Sequence, residues 1–340
     1  MKLPEDQVEM IMALGYTETE ARFIYIVATH SGYFTLRHFL LFSGAHRGKR
    51  STAFGQKLLR LGHASIRNYM GAGCVFHLFS RLIYGRIEKD NLRNRRRHSF
   101  EYIRVRLVLL DFVLENLDCD FLETEYDKVR FFCETLAVPM DALPAKVYEG
   151  GPNSRPTVRY FVDKFPLFFP PNVSASPAVV TFTYVDSGVS SAANLGMHLA
   201  AYQGLFRHLN AFRFMYIAPK PASFRRAERR FRSFVSEPLQ IDVSSEILRY
   251  FSVRRKWERH EYVVPVTEDL EFLSDARRRF HGQRFEDLYH SWDEGRLDEV
   301  ALRAEFAQLS PGRKISFETY LVRNGRSPLD EQYKKRVNAA

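Results

Sequence analysis

ARFIYIVATHSGYFTLRHFLLFSGAHRGKRSTAFGQKLLRLGHASIRNYMGAGCVFHLFSRLIYGRI, residues 21–87, sets the plan for the N-terminal part of the chain. It holds no aspartate and no glutamate, where about eight are expected from the chain's 40 acids in 340 residues. Its basic residues are Arg22, Arg37, Arg47, Lys49, Arg50, Lys57, Arg60, Arg67, Arg81 and Arg86. The stretch therefore carries a formal charge of +10, equal to that of the whole chain, and the rest nearly cancels. A concentrated positive surplus points to a polyanionic partner, most often nucleic-acid phosphate.

The local pattern within and before this stretch is that of a compact helical domain. Thr17 with Glu20 three residues on is a capping box, and it opens a helix over 18–29 with Ala21, Ile24, Tyr25 and Ala28 on one face. Gly32 stops that helix. Thr35 opens a second helix to Leu41, and a third, capped by Ser51, ends at Gly62. Three helices joined by short glycine-containing links, with a basic third member, follow the helix-turn-helix plan. In the third helix Phe54, Leu58 and Leu61 mark a core face. Ala53, Gln56 and Arg60 lie largely opposite, flanked by Lys57, and Arg47, Lys49, Arg50 and Thr52 sit at the N-terminal end. That end carries the partial positive charge of the helix, and a small residue, an amide and an arginine on one face suit base edges in a major groove. Segments 64–69 and 75–79 read as a β-hairpin, a wing on which Arg67 is a phosphate or minor-groove contact. The expectation is a winged helix-turn-helix domain over residues 1–90.

Residues 91–98, NLRNRRRH, form a charged connection in which Arg93, Arg95, Arg96 and Arg97 either extend the phosphate contacts or serve as a plain basic linker. A long helix follows over 99–116. Its apolar residues, among them Ile103, Leu107, Leu110 and Leu114, step at heptad spacing, which suits either a homodimer seam or packing within the protomer. A second helix over 123–136 pairs with it, completing a helical linker over 91–144. From residue 145 the texture becomes α/β: strands over 157–162 and 178–185, a helix over 195–209, a buried strand over 212–218 and a basic helix over 223–235, followed by more helices and one last strand over 314–322. The fold class is α+β.

Asp163 and Asp186 stand at the ends of the two strands over 157–162 and 178–185, an arrangement met in PD-(D/E)XK nucleases, where such carboxylates hold Mg²⁺ and polarise water. Gly188 occupies the position where that pattern needs a lysine, so the C-terminal domain over 145–340 reads as a degenerate version of the fold, with metal-dependent cleavage as the alternative. Phosphate-binding loops, dinucleotide fingerprints, zincin motifs and nucleophile elbows are absent from the sequence. Cys74, Cys119 and Cys133 are scattered and form no C-x-x-C pair, so neither zinc nor a disulfide framework is indicated. No cofactor is expected, and with no apolar run of spanning length the expected home is the cytoplasm.

The segment from Glu20 to Leu61, the strand ending Tyr184-Val185-Asp186, and the helix and strand from Leu195 to Ala218 together resemble the replication-relaxation family of plasmids and other mobile elements. Members of that family place an N-terminal winged helix before a degenerate nuclease-like domain. The resemblance implies a double-stranded-DNA-binding accessory of plasmid replication, mobilisation or transcriptional control. It carries across no established active site, only Asp163 and Asp186 as weak counterparts.

Overall fold

The computed structural model describes residues 1, 3–44, 49–69, 73–149, 156–163, 165–171, 179–188, 192–236, 243–261, 267–280, 282–309 and 313–323. The protein is a mixed α+β structure in two compact units, Met1–Pro238 with Ile315–Ala340 and Leu239–Lys314.

The first unit opens with α1 (Glu5–Met12) and α2 (Glu18–His30). The capping box forms as the sequence predicts: Thr17 Oγ1 accepts from the Glu20 N–H, and the Thr17 N–H donates to Glu20 Oε2 at 2.9 Å. The expected single apolar stripe understates α2, which is buried from Phe23 to His30 on every side. Then come β1 (Tyr33–Phe34), α3 (Leu36–Ser43), α4 (Lys49–Arg60), β2 (Ala64–Tyr69), β3 (Gly73–Leu78) and α5 (Arg81–Arg86). Aromatic rings join these elements. Phe39 stacks on Phe54 at 4.2 Å, Phe23 meets Phe34 and Phe39 edge-on, and Phe34 stacks on Phe76 at 5.1 Å. Phe54 and Leu58 are buried as expected. Leu61 is exposed, a correction to the predicted core face, because α4 ends at Arg60 and Gly62 turns the chain through a positive φ of 67°.

β2 and β3 form the antiparallel hairpin, with Ser65 opposite His77 and Arg67 opposite Val75, and β1 adds to the other edge of β3. Opposed residues share a face. Phe34 and Phe76 therefore lie towards the helical core, whereas Tyr33, Val75 and His77 lie on the reverse face. That reverse face is covered by Ile103 and Leu107 of α6 (Phe100–Glu115).

α6 is buried all round from Ile103 to Leu114, apart from half-buried Val105. Besides the small sheet it packs on α2 and α3, and its Phe112 meets Phe168 and Tyr320 of a second sheet at 5.6 and 4.9 Å. The homodimer seam is thereby corrected. Ile103, Leu107, Leu110 and Leu114 are at most 8% exposed, already covered by the chain's own core, so no apolar stripe remains for a second protomer.

The predicted helix over 123–136 is shorter. After β4 (Asp120–Phe121), α7 (Glu125–Arg130) gives way to a wider π turn over Phe131–Thr135. β5 (Ala145–Tyr148), β6 (Thr157–Tyr160), β7 (Leu167–Phe169), β8 (Thr181–Val185), α8 (Ala192–Ala201), α9 (Gln203–Arg207), β9 (Ala211–Ala218) and α10 (Phe224–Ser236) follow. β8 and β9 are parallel across the α8–α9 crossover, and the second sheet runs β10-β9-β8-β7-β4 once β10 (Lys314–Leu321) is included. The two strands expected to end at Asp163 and Asp186 fall in different sheets, since among the described residues β6 pairs with β5 in a separate two-stranded ribbon and β8 belongs to the five-stranded sheet. One continuous apolar core takes in Phe23, Phe112, Phe121, Phe168, Val185 and Ile217, so it runs across the boundaries expected near residues 90 and 144.

The second unit holds α11 (Val243–Glu258), α12 (Thr267–Arg279), α13 (Gln283–Asp293) and α14 (Glu299–Leu309) around Phe251, Tyr289, Trp292 and Leu302. Arg254 is part of its fabric. The guanidinium makes two hydrogen bonds to Glu286 at 2.9 and 2.7 Å and lies 4.0 Å over the Tyr289 ring.

A single contact fixes the turn after α2. Gly32 has φ 78°, and a Cβ there would lie 2.3 Å from the backbone oxygen of Asn94. Gly62 has a similar φ of 67° but open space around it. In urea unfolding Gly62→Ala should lose only the left-handed penalty of about 1 kcal/mol, while Gly32→Ala should lose clearly more because backbone must move. Equal losses at the two sites would contradict this packing.

Candidate nucleic-acid interface

The ten basic side chains of residues 21–87 divide into two classes. Arg22 binds Glu18 and Glu5 at 2.8 and 2.7 Å. Arg37 reaches both oxygens of buried Asp111 on α6, at 2.7 and 2.8 Å, beside His38 Nε2 at 3.2 Å. Lys57 pairs with Glu20 at 2.5 Å and sits 5.4 Å from the Tyr16 ring centroid. Each counter-ion comes from outside the acid-free stretch. Among the described residues, Arg50, Arg60, Arg67, Arg81 and Arg86 are exposed and make no ion pair, Arg86 lying 3.7 Å from Met10 Sδ. Arg47 lies outside the described residues, and of Lys49 only the backbone, at the start of α4, is described.

α4 is anchored by Phe54 and Leu58, which fixes the direction of its other face. Arg50, Thr52, Ala53, Gln56 and Arg60 are all exposed. The first turn contains no acid to oppose an anion at the positive end of the helix dipole. Lys57 leaves the predicted contact set: its ammonium is spent on the end of α2, holding α4 against Glu20 rather than offering a charge to a partner. His46 and His63 border the third helix in the sequence, where they would assist phosphate contacts or sit at its caps; the His63 ring is buried and bonded through Nδ1 to the Tyr16 hydroxyl at 2.7 Å, which leaves it no phosphate contact, and His46 lies outside the described residues.

A second group gathers around His77. Its Nε2–H donates to the Asn94 carbonyl at 3.2 Å, and its ring stacks on Tyr33 at 4.4 Å. Burial pushes this imidazole down to about 4, and the positive charges of neighbouring His98, Arg67 and Arg97 act in the same direction against the Asn94 hydrogen bond. His77 is thus neutral at physiological pH, and Arg67 of β2 and Arg97 of the connection share its neighbourhood. The connection is no loose linker. The Asn94 amide donates to the carbonyls of Ala28 and Thr29 at 2.9 Å, Asn94 Oδ1 accepts from Arg106, and the Tyr33 hydroxyl bridges the Arg96 carbonyl and the His98 N–H. Arg96 and Arg97 project exposed from this fixed backbone, and Arg95 is half-buried. No charge pattern in the sequence flags Asn94. Its only signal is an amide amid arginines.

The two candidate carboxylates are engaged internally. Asp163 Oδ2 lies 3.2 Å from His198 Nδ1, and its Oδ1 accepts from the Phe165 N–H. Burial alone would raise this carboxyl. The His198 hydrogen bond and charge, Lys128 and the Phe165 N–H outweigh it and hold Asp163 below the usual range. Asp186 is buried, accepts from the Tyr216 hydroxyl, and closes an Asx turn by accepting from the Gly188 N–H at 2.8 Å. Asp163 follows the two-stranded ribbon and Asp186 follows β8, so among the described residues no strand pairing sets the two carboxylates side by side. Among the described residues no group of three His, Cys, Asp or Glu side chains could hold a metal ion.

No protein-family model, no curated protein and no solved structure matches the chain. No helix among the described residues is long and apolar enough to cross a membrane.

The two classes of cation predict different mutational costs. Asp111→Asn should lower stability by about 2 kcal/mol, the usual cost of weakening hydrogen bonds to a charged group, while Arg60→Ala should stay within about 0.5 kcal/mol. Chemical denaturation of both variants checks this. A costly Arg60→Ala would mean that its charge serves the fold.

Proposed function

We propose that residues 1–98 form a winged helix-turn-helix that binds double-stranded DNA, with α4 as the helix that enters the major groove. The observation that carries this reading is the exposed face of α4: Arg50, Thr52, Ala53, Gln56 and Arg60 point away from the core with no acid among them and both arginines unpaired. The order α2, β1, α3, α4, β2, β3 and the sheet order β1-β3-β2 support it, because a hairpin directly after the third helix is the arrangement that sets a wing beside a reading helix.

The physical roles follow from residue type. Gln56 and Arg60 carry the donors and acceptors that read base edges, and Ala53 permits close approach. Arg50, Arg67, Arg96 and Arg97 are charges free to displace counterions from phosphates, which supplies affinity without sequence information. Arg67 and Arg97 stand on stiff backbone, the one in the hairpin and the other after the Asn94 anchor, so little ordering entropy is lost when they engage. The resemblance to replication-relaxation proteins suggests the setting, a regulator or accessory of a mobile element. Two-fold binding needs a surface other than the apolar face of α6, which the chain's own core covers.

Selection of bound sequences from random duplex DNA, followed by affinity measurement across a salt series, tests the assignment. Arg60→Ala should reduce discrimination between selected and random duplex by about 1–3 kcal/mol. Arg67→Ala should weaken both alike and lower the salt slope by about one. Equal weakening on both duplexes for Arg60→Ala would remove base reading from α4. Tighter binding to RNA or to an acidic polymer than to any duplex would overturn the proposal.

A further inference from the structure

Behind α2, on residues the DNA reading does not use, lies a cavity of about 970 Å³. Its size falls in the range of small-molecule sites, roughly 300–1,000 Å³. Three buried cations line it: Lys89 from the segment after α5, Arg106 from α6 and Lys128 from α7. Buried charges of one sign are costly unless something balances them. Glu123 balances one, since Lys89 donates to it and to the Tyr25 hydroxyl, which itself donates to Glu123 at 2.7 Å. Lys128 donates to a backbone carbonyl, that of Phe165, at 3.1 Å.

His30 reports the resulting field. It is buried on α2, and its Nε2 has no hydrogen-bond partner, with Glu123 Oε1 at 3.9 Å. Burial lowers its proton affinity to about 3, and the charges of Lys89, Lys128 and Arg106 all add to that effect. Three cations therefore act on one point in the cavity wall where a polar nitrogen lacks a partner. The rest of the lining includes apolar Ile87, Phe121 and Phe161 and the carboxylates Glu125 and Asp127, of which Glu125 is held by Arg159 and the Tyr160 N–H and Asp127 by the Thr124 N–H and hydroxyl. Two residues of the wall, Glu88 and Phe161, hold positive φ of 56° and 50° without being glycine, a strain that concentrates at ligand sites.

We propose that this cavity binds a small organic anion, with its phosphate or carboxylate group between Lys128, Arg106 and His30 and its apolar body against Phe121 and Phe161. The inference is independent of DNA binding, since none of the proposed DNA-contacting side chains lines the cavity. Lys128 adds a pH signature. Burial, with the nearby charge of Arg106, pushes its ammonium down to about 8 against the opposing effect of Asp163, Asp127 and Glu125. It is charged below that value, so an anion held there should be released as the pH rises through and beyond it.

Phenyl phosphate and inorganic phosphate serve as probes of the full-length protein, at an ionic strength held constant with sodium chloride. Calorimetry should show saturable one-to-one binding of phenyl phosphate, stronger than inorganic phosphate, weakening at least tenfold in Lys128→Met and falling between pH 7 and pH 9. A second readout on the wild-type protein keeps the test independent of the fold of Lys128→Met. Acylation of Lys128 by an activated ester, followed by mass spectrometry, should be suppressed by phenyl phosphate and not by a 20-base-pair duplex. No saturable heat with either probe, unchanged binding in a folded Lys128→Met, or protection of Lys128 by duplex but not by phenyl phosphate would overturn the proposal.

Discussion

The hydrogen bonds of Asn94 hold the N-terminal half together. Its buried side-chain amide caps the last carbonyls of α2, at Ala28 and Thr29, and accepts from Arg106 of α6, while its backbone carbonyl accepts from His77 of β3. A helix end inside a protein leaves carbonyls that must find donors, and here the donor comes from a connection more than sixty residues further along the chain. Gly32 is obligatory at this point because the Asn94 backbone passes where a side chain would stand. The knot joins α2, the hairpin and α6, and so turns a basic connection into a rigid support for Arg96 and Arg97.

Charge follows the same division between framework and surface. The acid-free stretch is not uniformly available to a partner: Arg22, Arg37 and Lys57 draw their counter-ions from Glu5, Glu18, Asp111 and Glu20. Those ion pairs attach the stretch to the helices around it. Arg50 and Arg60 on α4, Arg67 on β2, and Arg81 and Arg86 on α5 stay outside these ion pairs and face outward. Excluding acids from residues 21–87 thus has a physical effect that composition alone hides. Nothing within the stretch neutralises the outward arginines, and the inward ones are satisfied from elsewhere.

Much of the N-terminal architecture was legible because it is encoded locally. The Thr17–Glu20 box, the Phe54 and Leu58 anchors and the hairpin after Gly62 each follow from spacings of a few residues. Long-range packing was not. The heptad spacing of Ile103, Leu107, Leu110 and Leu114 is equally the pattern of a helix with a single covered face, and only Arg104, Arg106 and Asp111 hinted otherwise. Those charged residues are buried in α6 because Ser187, Asn94 and Arg37 come to meet them from distant parts of the chain. The ribbon of β5 and β6 misled for a similar reason, since a strand's propensity does not say which sheet it joins. Lys57 read as a solvent-facing cation because its partner, Glu20, belongs to another helix. The cavity left almost no trace, being lined by cations that look like ordinary surface residues until folding buries them.

Hydrogen exchange of the full-length protein with and without a duplex from the selection is the most direct test of the central claim. The account predicts added protection in residues 49–68 and 93–98, with exchange in the second unit, residues 243–309, unchanged. Protection centred on α10 or on the second unit, with α4 exchanging as freely as before, would contradict it.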